Sequence, residues 1–127
     1  MPVVGDPRGN QVSQTILDWT DHGIDLHAPE LARYEVANAL TRLIVANAFP
    51  SERVEEAWSY LLILPITYHA LTDAQRVIEI SLMLNRQSAY DAAYLALAET
   101  LNAELCTLDG PLFRNPTGQG FNVRLLQ

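Results

Sequence analysis

The stretch Ser88-Ala89-Tyr90-Asp91-Ala92-Ala93-Tyr94-Leu95-Ala96-Leu97-Ala98, followed by Glu104-Leu105-Cys106-Thr107-Leu108-Asp109, decides the fold class. Ser88 reads as a helix cap. The helix it opens runs to about residue 102 and is apolar on nearly every side, through Ala92, Ala93, Leu95, Ala96, Leu97, Ala98 and Leu101. A helix apolar all round is buried. Residues 104–108 read as a strand, and Asp109-Gly110-Pro111 as the turn that ends it.

The same alternation extends outward in both directions. Upstream, Thr72 caps a helix to about 84, and residues 66–69 form a short strand. Before them lies a helix over 51–64, broken by Pro65. A helix over 30–47, opened by Pro29, carries the apolar stripe Val36, Leu40, Leu43 and Ile44. Residues 24–27 alternate as a strand, and a helix over 11–22 ends at Gly23. Ahead of it, Val3-Val4 is followed by the turn signal Gly5-Asp6-Pro7-Arg8-Gly9-Asn10. Downstream, residues 122–126 form a last strand. Strands alternating with helices predict an α/β layer fold with a mainly parallel sheet.

The chain has 127 residues, which predicts a single domain over 1–127. One cysteine excludes a disulfide framework and a cysteine-built zinc site. An apolar content of 49% excludes a disordered chain. The longest apolar run, Leu61-Leu62-Ile63-Leu64-Pro65-Ile66, reads as core and is far short of the roughly 20 residues of a membrane span. With no signal-peptide pattern at the N-terminus, a cytoplasmic protein is expected. Eight Lys+Arg against 15 Asp+Glu give a net charge of −7. That argues against a broad basic face for polyanions, but not against a nuclease that concentrates carboxylates at one site.

Three acids stand out by position. Glu35 lies about two turns into its helix, after the carboxyl end of a strand, with Asn38 and Arg42 on one polar line. A solvated face explains that line equally well. Asp91 sits three residues after Ser88, as in a capping box, yet shares a face with Leu95 and Ala98. Asp109 is an ordinary Asx-turn residue by pattern. Lengths favour a sharper reading: the helix from 92 to 102 spans roughly 16 Å, and a strand over 104–108 returns about the same distance. Asp109 then ends level with Asp91, at the strand-end edge where open parallel sheets bind ligands. Three converging carboxylates suit Mg²⁺ or Mn²⁺.

Other residues carry less. Cys106 reads as a small buried hydrophobe, His22, His27 and His69 show no ligand spacing, and Tyr90 and Tyr94 read as packing residues with polar tips. No nucleophile elbow, P-loop or dinucleotide fingerprint is present.

The segment Leu26-His27-Ala28-Pro29-Glu30-Leu31-Ala32-Arg33-Tyr34-Glu35-Val36-Ala37-Asn38-Ala39-Leu40 resembles the second-acid segment of PIN-domain ribonucleases. Ser88–Ala98 with Cys106-Thr107-Leu108-Asp109 is similar to their third- and fourth-acid segment. The nearest subgroup is the VapC-type toxins of toxin–antitoxin pairs, and the resemblance covers about residues 12 to 115. It implies a PIN-like three-layer α/β/α fold with a mainly parallel central sheet, metal-dependent endoribonuclease activity, products with 5′-phosphate and 3′-hydroxyl ends, a homodimer and a VapB-type antitoxin. It makes Glu35, Asp91 and Asp109 metal ligands and Thr107 a polar neighbour of the last. Independently, Leu43, Ile44, Val45, Phe49, Trp58 and Leu62 exceed what one small sheet needs, and so also point to a dimer.

The departure is at the start. The family opens with a strand ending in Asp and a helix beginning with Ser or Thr, and little chain precedes residue 11. Either the sequence starts late, or Val3-Val4-Gly5-Asp6 is a shortened first strand with Asp6 as the first acid. An alternative function follows: a degenerate, non-catalytic PIN domain serving as a protein-interaction and dimer module.

Overall fold

The computed structural model describes residues 7–85, 89–107 and 120–126. In order, these form α1 (Pro7–Asp21), β1 (Leu26–Pro29), α2 (Leu31–Val45), a 3-10 turn (Ser51–Arg53), α3 (Val54–Ile63), β2 (Ile66–His69), α4 (Ala74–Met83), α5 (Tyr90–Leu101), β3 (Leu105–Thr107) and β4 (Val123–Leu125). Helices and strands are interleaved, and β3 and β4 run parallel, in keeping with the α/β reading. Among the described residues the strands form two pairs, β1 with β2 and β3 with β4. The chain divides into two compact units, Met1–Tyr68 and His69–Gln127. No described helix is long and apolar enough to cross a membrane.

In the first unit, α1 begins at Pro7, inside the segment that reads as a turn. Proline has no amide to lose at the first helical position and its φ is already helical, so Pro7 starts the helix and carries Gly9 and Asn10 into it. At the other end Gly23 takes a φ of +70°, and the Ile24 N–H donates to the Trp19 carbonyl over 2.9 Å. The reversal satisfies carbonyls that the helix leaves open. Asn47 ends α2 in the same manner, with a φ of +57° and an Ala48 N–H to Leu43 O bond of 2.8 Å.

Pro29 closes β1 rather than opening α2, and Glu30 takes the N-cap position. The stripe of α2 lies as its spacing predicts: Leu40 is buried, with Val36, Leu43 and Ile44 half-buried. The tract over 61–66 does not form core. It straddles the end of α3 and the start of β2, and Leu62 and Ile63 are exposed. A short helix can bury only one stripe, and in α3 Ala57 is on that stripe.

The second unit is built on α4, α5 and the β3–β4 pair. Val77, Ile80 and Leu84 pack with Ala92, Leu95 and Ala96 of α5 and Val123 of β4. Ile80 and Leu95 are 0% and 2% exposed. Asp73, not Thr72, caps α4, its carboxylate accepting from the Arg76 N–H at 3.0 Å. An Asp one residue nearer the helix is the stronger acceptor and also opposes the helix dipole.

Across the pair, the Arg76 guanidinium donates twice to Glu99, at 2.9 and 2.8 Å, and once to Glu79 at 3.3 Å. α5 ends at Asn102, left-handed with φ +52°, and the Ala103 N–H bonds Ala98 O at 2.8 Å. The chain then enters β3, which pairs in parallel with β4 in the register Leu105↔Val123, Cys106↔Arg124 and Thr107↔Leu125.

Leu95→Ala removes a fully buried side chain and should cost about 2–5 kcal/mol in chemical denaturation, whereas exposed Leu82→Ala should stay within about 0.5 kcal/mol. The Arg76 guanidinium holds the Glu99 carboxyl below its usual 4.5. Because the folded-state value is depressed, the stabilisation is fully present above pH 4.5 and is lost as pH falls through the folded value. Glu99→Gln should therefore lower the thermal midpoint at neutral pH, and its midpoint should converge with that of the wild type in strong acid.

Candidate functional site

Each described acid stands on a helix that local packing holds in place. Glu35 is the fifth residue of α2 and is exposed, as are Asn38 and Arg42, so the polar line of the sequence is a solvent-facing line. The first turn of α2 is tied to its sheet through Arg33. That guanidinium lies 4.4 Å from the centroid of the Tyr68 ring on β2 and 3.4 Å from the Glu30 carboxylate. The cation over the ring face is an electrostatic attraction, and the planar guanidinium also stacks.

Asp91 is half-buried in the first turn of α5. The capping-box alternative does not describe it. The N-cap is Ala89, which has no side-chain acceptor, and Asp91 is the second helical residue. Its negative charge still lies at the favourable end of the helix dipole. Ala92, Leu95 and Ala96 are buried directly behind it, so the carboxylate is carried on a rigid stripe.

β3 ends at Thr107, which is half-buried and whose carbonyl accepts from the Leu126 N–H at 2.8 Å. Asp109 follows two residues later and lies outside the described residues, as do Asp6 and Ser88. Among the described residues no three His, Cys, Asp or Glu side chains gather at one point. Glu35 belongs to the first unit and Asp91 to the second.

The donor chemistry suits a hard divalent ion, since carboxylate oxygens are its preferred ligands. A soft site is disfavoured. Burial, helped by the Glu104 carboxylate, pushes the Cys106 thiol above its ordinary value, so it stays protonated. His22 is used locally, with Nδ1 donating to the Asp18 carbonyl at 2.6 Å near the end of α1.

Tyr90 departs from its reading as a packing residue. It is exposed, whereas Tyr94, one turn on, is half-buried. The Arg33–Tyr68 stack is invisible to local pattern, because its partners are 35 positions apart.

The PIN domain family matches residues 8–116, a span that crosses both units and contains Glu35, Asp91 and Asp109. Ribonuclease VapC3 of Pyrobaculum aerophilum is 34% identical over 92 residues, 69% of this chain and 69% of its own. Ribonuclease VapC9 of Mycobacterium tuberculosis and VapC ribonuclease Mb0985 of Mycobacterium bovis are each 38% identical over 97 residues, 74% of this chain and 71% of theirs. With those three positions inside a match of this length, the chain belongs to the PIN-domain family, among its VapC-type ribonucleases, and its fold is the α/β PIN fold.

Proposed function

We propose that this chain is a metal-dependent endoribonuclease, the toxin of a toxin–antitoxin pair, with residues 1–127 acting as one PIN-like domain in the cytoplasm. The observation that carries the reading is a PIN-domain match that spans all three candidate acids, together with the likeness to relatives named ribonucleases. Glu35, Asp91 and Asp109 are the carboxylates that hold Mg²⁺ or Mn²⁺, and Asp6 is the candidate for the first acid. When bound, the ion supplies Lewis-acid activation of the attacking water and neutralises charge at the scissile phosphate.

The protein's own contribution is placement. The buried stripe of α5 holds Asp91 in one position, and the Arg33–Tyr68 stack holds the helix that carries Glu35. In-line attack on phosphorus tolerates little misplacement, so rigid carriers are what such a site requires. Arg42, exposed and without an ion-pair partner among the described residues, is available to an RNA phosphate.

The proposed assembly is a homodimer bound by a VapB-type antitoxin. Val45, Tyr60, Leu62 and Ile63 leave apolar surface of α2 and α3 in solvent, which supports a partner on those helices.

Glu35→Gln, Asp91→Asn and Asp109→Asn should each reduce RNA cleavage in Mg²⁺ or Mn²⁺ by about 100-fold or more and leave the fold intact, as read by gel assay and circular dichroism. Crowded carboxylates repel, so in EDTA Asp91→Asn should melt no lower than the wild type. Cleavage unchanged by all three substitutions would remove the proposal. A wild type that folds and dimerises but neither cleaves RNA nor gains stability from Mn²⁺ would establish the non-catalytic alternative. Asp6→Asn should weaken Mn²⁺ binding in calorimetry as much as Asp91→Asn does if Asp6 is the first acid. Sedimentation should give twice the 14.1 kDa chain mass at micromolar concentration.

A further inference from the structure

RNA must be gripped by something, and the described residues offer little unpaired cationic surface to do it. Five arginine side chains lie within the described residues whose side chains are placed, and four of them are paired with carboxylates. Arg33 pairs with Glu30, Arg53 with Glu56, Arg76 with Glu79 and Glu99, and Arg124 with Glu104. With a net charge of −7 and eight arginines as its only Lys or Arg residues, the chain has few cations through which counterion release could supply affinity. The other general source is stacking of bases on aromatic rings, which is indifferent to net charge.

Aromatic exposure is unevenly distributed. Among the described residues three aromatic side chains are exposed, namely Tyr34 at 72%, Tyr90 at 62% and Tyr60 at 54%. The tryptophans, Phe49, Phe121, Tyr68 and Tyr94 are all half-buried. Two of the three exposed rings immediately precede the two described candidate acids: Tyr34 precedes Glu35 on α2, and Tyr90 precedes Asp91 on α5. Adjacent helical residues diverge by about 100° around the axis with Cα atoms about 3.8 Å apart. Each ring therefore stands beside its carboxylate without covering it, and it is carried by the same rigid helix.

We infer that Tyr34 and Tyr90 are base-stacking residues for the RNA substrate, each holding a base next to the phosphate that its neighbouring carboxylate serves. The inference rests on the ribonuclease reading above. It adds how a strongly acidic nuclease retains a polyanion, through ring-on-base contact with nucleotides flanking the cleaved bond.

The test uses the full chain and an RNA oligomer of about 12 nucleotides that the wild type cuts, selected from a randomised pool. Tyr34→Ala and Tyr90→Ala should each lower kcat/KM by about five-fold or more, with unchanged melting curves, while Tyr34→Phe and Tyr90→Phe stay within about two-fold. In wild type, a single abasic nucleotide beside the cleaved bond should give a similar loss. That loss should vanish in the matching alanine variant, because the two changes remove one contact.

Alanine variants with wild-type kcat/KM, phenylalanine variants as impaired as alanine, or an undiminished abasic penalty would each overturn the inference and leave the ribonuclease reading standing. So would alanine variants whose only change is dissociation in sedimentation, since the rings would then be protein contacts. A wild type that cuts no member of the pool, with Mn²⁺ present, removes both readings.

Discussion

The close approach of α5 to α4 is the constraint on which the second unit depends. Ala92 and Ala96, one turn apart, present almost no side chain, and Leu95 between them fills the space beside Ile80. Small residues at that spacing let two helices approach closely enough for their neighbours to interlock. Because α5 is fixed this way, its first turn is fixed as well, and Asp91 inherits a position that an exposed helix would not provide. β3 and β4 complete the same cluster through Leu105 and Val123. The carboxylate and the strand leading toward Asp109 are therefore supported by one packed core.

Much of this was legible in the sequence, for reasons that are local. β2 occupies 66–69 as read, because alternation after Pro65 leaves no competing structure. Gly23, Asn47 and Asn102 end their helices where the apolar periodicity stops, since these are residue types that tolerate a left-handed backbone. Local signals also misled. The Gly-Asp-Pro-Arg-Gly-Asn run looked like a turn, but proline at its third position starts a helix. Thr72 looked like a cap while Asp73 beside it held the stronger acceptor.

Of the site, the residue types and their places on helices were readable, and for Glu35 and Asp91 the elements are those expected. What supports them was not. The Arg76–Glu99 bridge spans 23 positions and the Arg33–Tyr68 stack spans 35, and nothing in a one-dimensional pattern announces a partner at that distance. The exposure of Tyr90 was equally hidden. Tyr90 and Tyr94 are four apart, a spacing that suggests one shared face, yet only Tyr94 is covered. Spacing says which residues share a helix face, not how far along that face the packing partners reach.

The parallel pairing of β3 with β4 bears on which changes of chain length the protein can accept. Fifteen residues separate Thr107 from Val123. Parallel neighbours cannot be joined by a tight hairpin and require a crossover of about a dozen residues or more. The span that includes Asp109 is therefore close to the shortest that the pairing permits. Lengthening it costs little, because loop-closure entropy rises only logarithmically. Shortening it by more than a few residues would unpair β4 and withdraw Val123 from the core. Natural variation in this span should therefore be asymmetric, with insertions tolerated and deletions purged, even where no individual side chain matters.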